Sequence, residues 1–287
     1  MRVSLGFSPC PNDTFIFDAL VNKKIDTGDF HFEVMMEDVQ TLNEWAVAGK
    51  LDVTKISFAT LPMVAEEYIL LNSGAALGRG TGPLLISKVD IPETAVRHCT
   101  VAIPGQNTTA NVLFSLAYPE ATNKIFLRYN EIENFVSNGP DNLNNVLALR
   151  LGVIIHENRF TYESKGLVKI TDLGDYWEKE TGLPIPLGGI VARRSFDAET
   201  LSRIQTLIYE SIRYSYAQSP ALSDFVKEHS QEMSEDVMRQ HIDLYVNEHS
   251  LTLGPEGREA VQKFVQIHSS IHKIDVATEL LMFPSTR

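Results

Sequence analysis

Residues 2–21, RVSLGFSPCPNDTFIFDALV, begin as a strand, break at a turn and continue as a helix. Arg2–Phe7 reads as the strand, Ser8 to Asp13 with its two prolines as a rigid turn, and the apolar spacing over 15–21 as the helix. Outward from this segment, Phe30, Phe32, Val34 and Met36 alternate with polar or small residues, as a half-buried strand requires. Thr41 and Glu44 have the spacing of a capping box, Leu42, Trp45 and Ala46 share one helical face, and Gly49 can close that helix in a left-handed conformation. A third strand is expected over 51–57. This β-α-β-α-β rhythm implies a parallel sheet with helices packed on it.

The rhythm restarts after Ile91 and Pro92, with strands expected at Thr100–Ile103, 124–129 and 151–155 and helices at Thr109–Ala117 and 142–149. The run Leu151-Gly152-Val153-Ile154-Ile155 is continuously apolar, which fits a strand covered on both faces. From Asp197 onward only helical spacing remains: Leu201, Ile204, Ile208, Ile212 and Tyr216, then segments around 222–229, 237–247 and 257–272. Two α/β lobes with a helical C-terminal segment are expected. A small ligand would then bind in the cleft between them, at strand carboxyl ends.

Composition narrows the function classes. The 287 residues are 44% hydrophobic and 22% charged, which excludes a wholly disordered chain and a polytopic membrane protein. The net charge of -12 would repel a phosphate backbone, so nucleic acid is not expected as a partner. No window approaches a membrane span, and the proline-broken start does not read as a secretory signal, so a cytoplasmic chain is expected. Two cysteines, Cys10 and Cys99, are read as packing thiols.

Several polar segments carry possible chemistry. Gly105 to Ala110, including Asn107, Thr108 and Thr109, lies between a strand and a helix, where unpaired N–H groups favour an anion such as a carboxylate. Capping explains hydroxyls at a helix start equally well, and the two roles are compatible. Lys55, Ile56 and Ser57 hold the corresponding strand end in the first unit, with snorkelling of Lys55 and turn-capping by Ser57 as the structural alternative. His156 ends the apolar strand and precedes Glu157-Asn158-Arg159. A histidine there can accept a proton near neutral pH or simply bond a backbone carbonyl. Gly78-Arg79-Gly80-Thr81-Gly82 leads into an apolar strand rather than a helix, so it reads as a tight turn whose Arg79 is available to an anion. His268 and His272 share a helical face, with Asp275 and Glu279 beyond, and read as a solvated face rather than a metal site.

Together, SPCPNDTF (8–15), DVTKIS (52–57), GAALGRG (74–80), IHENRFTY (155–162) and GLPIPLG (182–188) resemble the 1,4-dihydroxy-6-naphthoate synthase family of the futalosine route to menaquinone. The resemblance implies a two-lobed fold like that of type II periplasmic binding proteins. The crossings would lie near Lys88 and Gly189, so that 1–88 and 189–287 form the first lobe with its helical tail and 89–188 the second. It also implies carbon-carbon cleavage of cyclic de-hypoxanthine futalosine to 1,4-dihydroxy-6-naphthoate and dihydroxyacetone, with no cofactor and no metal. By the same resemblance His156 is the proton acceptor, and Lys55, Ile56, Ser57, Thr109 and Ala110 bind substrate. Thr108, Asn107, Arg79, Arg159 and Asn43 are secondary candidates. The chain departs from the family in the residues before Gly152, where Leu149-Arg150-Leu151 stands in place of an acidic approach to the strand.

An anionic substrate meeting an acidic protein demands locally positive groups, for which Lys55, Arg79, Arg159 and the helix start near Thr109 are the candidates. Two other readings stay open: a non-catalytic binder of a small carboxylate, since fold alone does not decide function, and a related lyase or dehydratase on the same scaffold. A homodimer stays open as a partner.

Overall fold

The computed structural model describes residues 1–141, 145–230, 234–272 and 281–284. β1 (Arg2–Phe7) forms because Val3, Leu5 and Phe7 alternate onto one face and are fully buried. Pro11 stands at the start of α1 (Pro11–Val21), where its missing N–H has no intrahelical partner to lose. β2 (His31–Met36) is largely exposed at the sheet edge. α2 (Val39–Val47) and β3 (Val53–Ser57) follow, the latter buried at every position. α3 (Leu61–Val64), β4 (Tyr68–Leu70) and β5 (Ala76–Gly78) complete the first passage.

The chain then builds β6 (Leu84–Ser87), β7 (Thr100–Ile103), α4 (Thr109–Ala117), β8 (Lys124–Phe126), α5 (Ile132–Ser137), β9 (Arg150–Ile154), α6 (Asn158–Thr161), β10 (Val168–Asp172) and α7 (Leu173–Thr181). β11 (Ile185–Arg193) re-enters the first sheet. It is followed by α8 (Ala198–Ala217), α9 (Asp224–His229), α10 (Glu235–Tyr245), α11 (Glu248–Leu251) and α12 (Gly254–His272). Among the described residues, no helix is long and apolar enough to cross a membrane.

Two compact units result, Met1–Gly78 with Pro186–Arg287, and Arg79–Ile185. The first sheet has the order β2-β1-β3-β11-β4, with β5 on β11. Its β1, β2 and β3 run parallel, and β11 is antiparallel to β3 and β4. The second has the order β10-β6-β9-β7-β8, parallel across β9, β7 and β8. The first crossing precedes β6 instead of falling at Lys88, because β6 already pairs with β9 and β10 in the second sheet. The return falls just before Gly189, which pairs with Ile56 in the first sheet.

In the first unit, Phe7 and Phe17 stack with ring centroids 4.5 Å apart, and Leu201, Ile204, Ile208 and Ile212 of α8 close the same core. The second core holds Leu84, Ile86, Ala102, Ile154 and, from α5, Ile132 and Val136. α5 is among the elements that the sequence pattern did not announce, as are β4, β5, β10, α7 and β11. The helix expected at 142–149 is only a 3-10 turn at Val146–Ala148, and residues 142–144 lie outside the described residues. The strand expected over 124–129 stops at Phe126, and Tyr129 opens another 3-10 turn. His268 is buried and stacks parallel to Phe264, so its side of α12 faces the core rather than solvent. Asp275 and Glu279 lie outside the described residues. Leu281 and Phe283 exchange backbone hydrogen bonds with Leu70 and so cover the edge of β4.

The expected Thr41–Glu44 box is replaced by Asp38 as the cap of α2. Its carboxylate accepts from Gln40 N at 2.9 Å and Thr41 N at 3.2 Å, and the Thr41 hydroxyl donates to the same group. Gly49 has φ +60 at the other end, as expected. Asp38→Ala should therefore lower stability by about 1 kcal/mol, while Glu44→Ala, which removes an exposed bond to Gln40, leaves it nearly unchanged; urea unfolding distinguishes the two.

Candidate functional site

In the first unit, Lys55, Ile56 and Ser57 end β3, and all three are buried. Lys55 does not snorkel. Its ammonium lies 3.1 Å from Asp13 Oδ1 and donates to the carbonyl of Gly74 at 2.8 Å. Asp13 is held in turn by Ser8 N at 3.1 Å, the Ser8 hydroxyl at 2.7 Å and Asn12 Nδ2 at 3.0 Å. The proline turn thus folds around one buried carboxylate. Asn43, fully buried on α2, binds Ser57 twice: its Oδ1 accepts from Ser57 N at 2.8 Å and its Nδ2 donates to Ser57 Oγ at 3.1 Å. This clamp fixes the Ser57 rotamer.

In the second unit, β7 and β9 are parallel neighbours, so α4 and the His156 turn leave from the same edge of the sheet. Thr108 caps α4, accepting from Asn111 N at 3.3 Å and donating to the Gly105 carbonyl at 2.8 Å. Thr109 and Ala110 are the first two residues of the helix, whose N–H groups lack an intrahelical acceptor. The capping expectation is met: the Thr108 hydroxyl satisfies the third N–H of the helix. Asn107 is half-buried in the turn just before.

His156 is half-buried, with φ +57, and the ring of Tyr129 meets its imidazole edge-on at 5.1 Å. The left-handed region is rare for residues other than glycine and costs about 1–2 kcal/mol, so strain is concentrated at this residue. Arg159 donates to the Gly82 carbonyl and lies 2.6 Å from Asp172, which also caps α7 through Gly174 N at 2.9 Å. Burial, followed by the bond to Glu163, pushes the Tyr162 phenol up, so it stays a neutral donor. Burial likewise pushes the Cys99 thiol up, away from reactivity.

The structure thus gathers the expected residues into two groups, one in each unit. It also shows that Lys55, Arg79 and Arg159 each face a carboxylate, Arg79 at 3.8 Å from Glu178. Their charge is balanced within the protein. Sequence reading missed Asp13, Glu178 and Asp172 as partners of these groups. Only Asp13 lies within a motif that the resemblance had singled out.

Two sheets joined by two crossings, with polar groups gathered at strand ends, define a periplasmic-binding-protein-like fold. A solved protein of Archaeoglobus fulgidus superposes with a TM-score of 0.87 at 26% identity, over 95% of this chain and 98% of that one. The periplasmic aliphatic sulphonate binding protein of Escherichia coli has a TM-score of 0.68 at 10% identity, over 100% and 93%, and shows the fold alone. In sequence, a 1,4-dihydroxy-6-naphthoate synthase of Thermus thermophilus is 42% identical, over 90% of this chain and 91% of that protein. A second, of Streptomyces coelicolor, is 40% identical over 91% and 90%. The menaquinone biosynthesis family model matches residues 3–270, and the chain belongs to that family.

Proposed function

We propose that the chain is a carbon-carbon lyase of the 1,4-dihydroxy-6-naphthoate synthase type, acting on cyclic de-hypoxanthine futalosine with His156 as general base. The observation that carries this reading is a half-buried histidine in a strained conformation, leaving the same sheet edge as the amide-rich start of α4. A neutral imidazole removes a proton from the substrate, and enolate-like charge develops. Thr109 and Ala110 hold the substrate carboxylate through their N–H groups, while the Lys55 ammonium and the Ser57 hydroxyl bind other oxygens. Two of the three Lys55 N–H bonds are already committed to Asp13 and Gly74, so at most one is free for substrate. Cleavage releases dihydroxyacetone, and aromatisation of the remaining carbocycle supplies the driving force. No cofactor enters this scheme.

Incubating the purified protein with cyclic de-hypoxanthine futalosine should yield naphthoate absorbance and dihydroxyacetone in equal amounts. Stoichiometric capture without product would instead make it a carboxylate binder. Turnover of chorismate would make it a dehydratase on the same scaffold.

A further inference from the structure

Glu133 is 5% exposed, on a helix that the proposed chemistry does not use. One of its oxygens, Oε2, accepts from Asn158 Nδ2 at 2.5 Å and from Lys165 Nζ at 2.5 Å. The other, Oε1, is buried with no hydrogen-bond partner among the described residues. A buried carboxylate with a bare oxygen is a poor stability device, because each unsatisfied buried group costs about 1–3 kcal/mol. We propose that Glu133 is a positioning residue for His156, acting through Asn158, an inference that rests on the reading of His156 as the base.

The strained turn must be over-determined by its surroundings to persist. On one side, Arg159 is tied to Asp172 and Gly82. On the other, Asn158 is 6% exposed and its amide is held by Glu133. The two residues following the Glu157 peptide are therefore anchored to different elements, which fixes the backbone that His156 enters. Glu133 reaches the turn because of Gly152. A Cβ at that position of β9 would run into Ile132 and Val136 Cγ2, the residues flanking Glu133 on α5, so the bare glycine lets the helix lie close against the strand. The 3-10 turn leading into α5 also supplies Tyr129, the ring that meets His156 edge-on. One short segment thus supports both the side chain and the backbone of the proposed base. Besides Glu133, the charged groups around the turn are Lys165, Glu157, Arg159, Asp172 and Glu163.

The test compares wild type with Glu133→Ala, Glu133→Gln and Asn158→Ala in two measurements. In steady-state kinetics on cyclic de-hypoxanthine futalosine, Glu133→Ala and Asn158→Ala should lower kcat by about tenfold to a hundredfold, the scale of a small misplacement of a reacting group, and leave KM close to wild type. Glu133→Gln keeps an acceptor for Asn158 and should recover most of kcat. In proton NMR, the His156 imidazole signal, identified by its loss in His156→Asn, should move or broaden in the two alanine variants and stay near its wild-type position in Glu133→Gln. Circular dichroism checks that each variant is folded, and Asn158→Ala carries the comparison should Glu133→Ala fail to fold. Folded alanine variants with wild-type kcat and an unmoved His156 signal would overturn the proposal. If wild type itself makes no naphthoate, the reading of the reaction falls, and the NMR comparison still decides whether Glu133 positions His156.

Discussion

His156→Asn is expected to lower kcat by about 10² to 10⁴-fold, the usual contribution of a general base, without lowering the melting temperature. Asparagine is the informative choice because, like histidine, it tolerates the left-handed region in which residue 156 sits. Alanine there would add backbone strain and mix a folding defect into the kinetic one. His156→Gly sharpens the test: glycine removes the strain and should raise stability by about 1 kcal/mol while activity is lost as completely. Stability and activity should thus move in opposite directions at one position, as expected where strain is retained for function. The pair is read by product formation and thermal unfolding on the same preparations. Wild-type turnover by a folded His156→Asn protein would remove this residue from the mechanism.

The strand ends were legible because apolar alternation and continuous apolar runs report burial directly. That is why Thr100–Ile103 and Thr109–Ala117 fall where the pattern placed them. What stayed hidden depends on relations between distant residues. His156 has a positive φ, and the Asn158 and Arg159 that follow it are anchored by Glu133 and Asp172, 25 and 13 residues away in sequence. α5 has only six residues, too few for a helical period to register, and its position follows from the absence of a side chain at Gly152. The cap of α2 was misread because Asp38 stands three residues ahead of Thr41 and takes the N–H groups itself, a choice that a hydroxyl–carboxylate spacing does not reveal. The cationic candidates show the same limit most plainly. Lys55, Arg79 and Arg159 read as available positive charge, yet each meets a carboxylate from another part of its own unit. Which carboxylate a cation meets is a tertiary relation that no composition records.

The pair between Lys55 and Asp13 carries the other large expected effect. Lys55 is 5% and Asp13 2% exposed, so neither charge is solvated by water and each depends on the other. Asp13→Ala leaves a buried ammonium with only the Gly74 carbonyl and also frees the Ser8 hydroxyl and amide, so it should destabilise the protein by about 3–5 kcal/mol. Lys55→Met should be similarly harmful, because it leaves the carboxylate unpaired. Their combination should not sum. Asp13→Asn with Lys55→Met removes both charges at nearly constant volume, and desolvation theory expects such a neutral pair to be much less destabilised than the two single changes added together. The coupling expected for contacting groups is about 0.5–3 kcal/mol, well outside the error of urea midpoints measured at constant slope. Additive single effects would mean that the two side chains act independently and that the proline turn is held by Ser8 and Asn12 alone. A strong coupling together with loss of turnover in the restored double variant would separate the two uses of Lys55. Its charge would then be needed for substrate, and its partner for keeping that charge inside the fold.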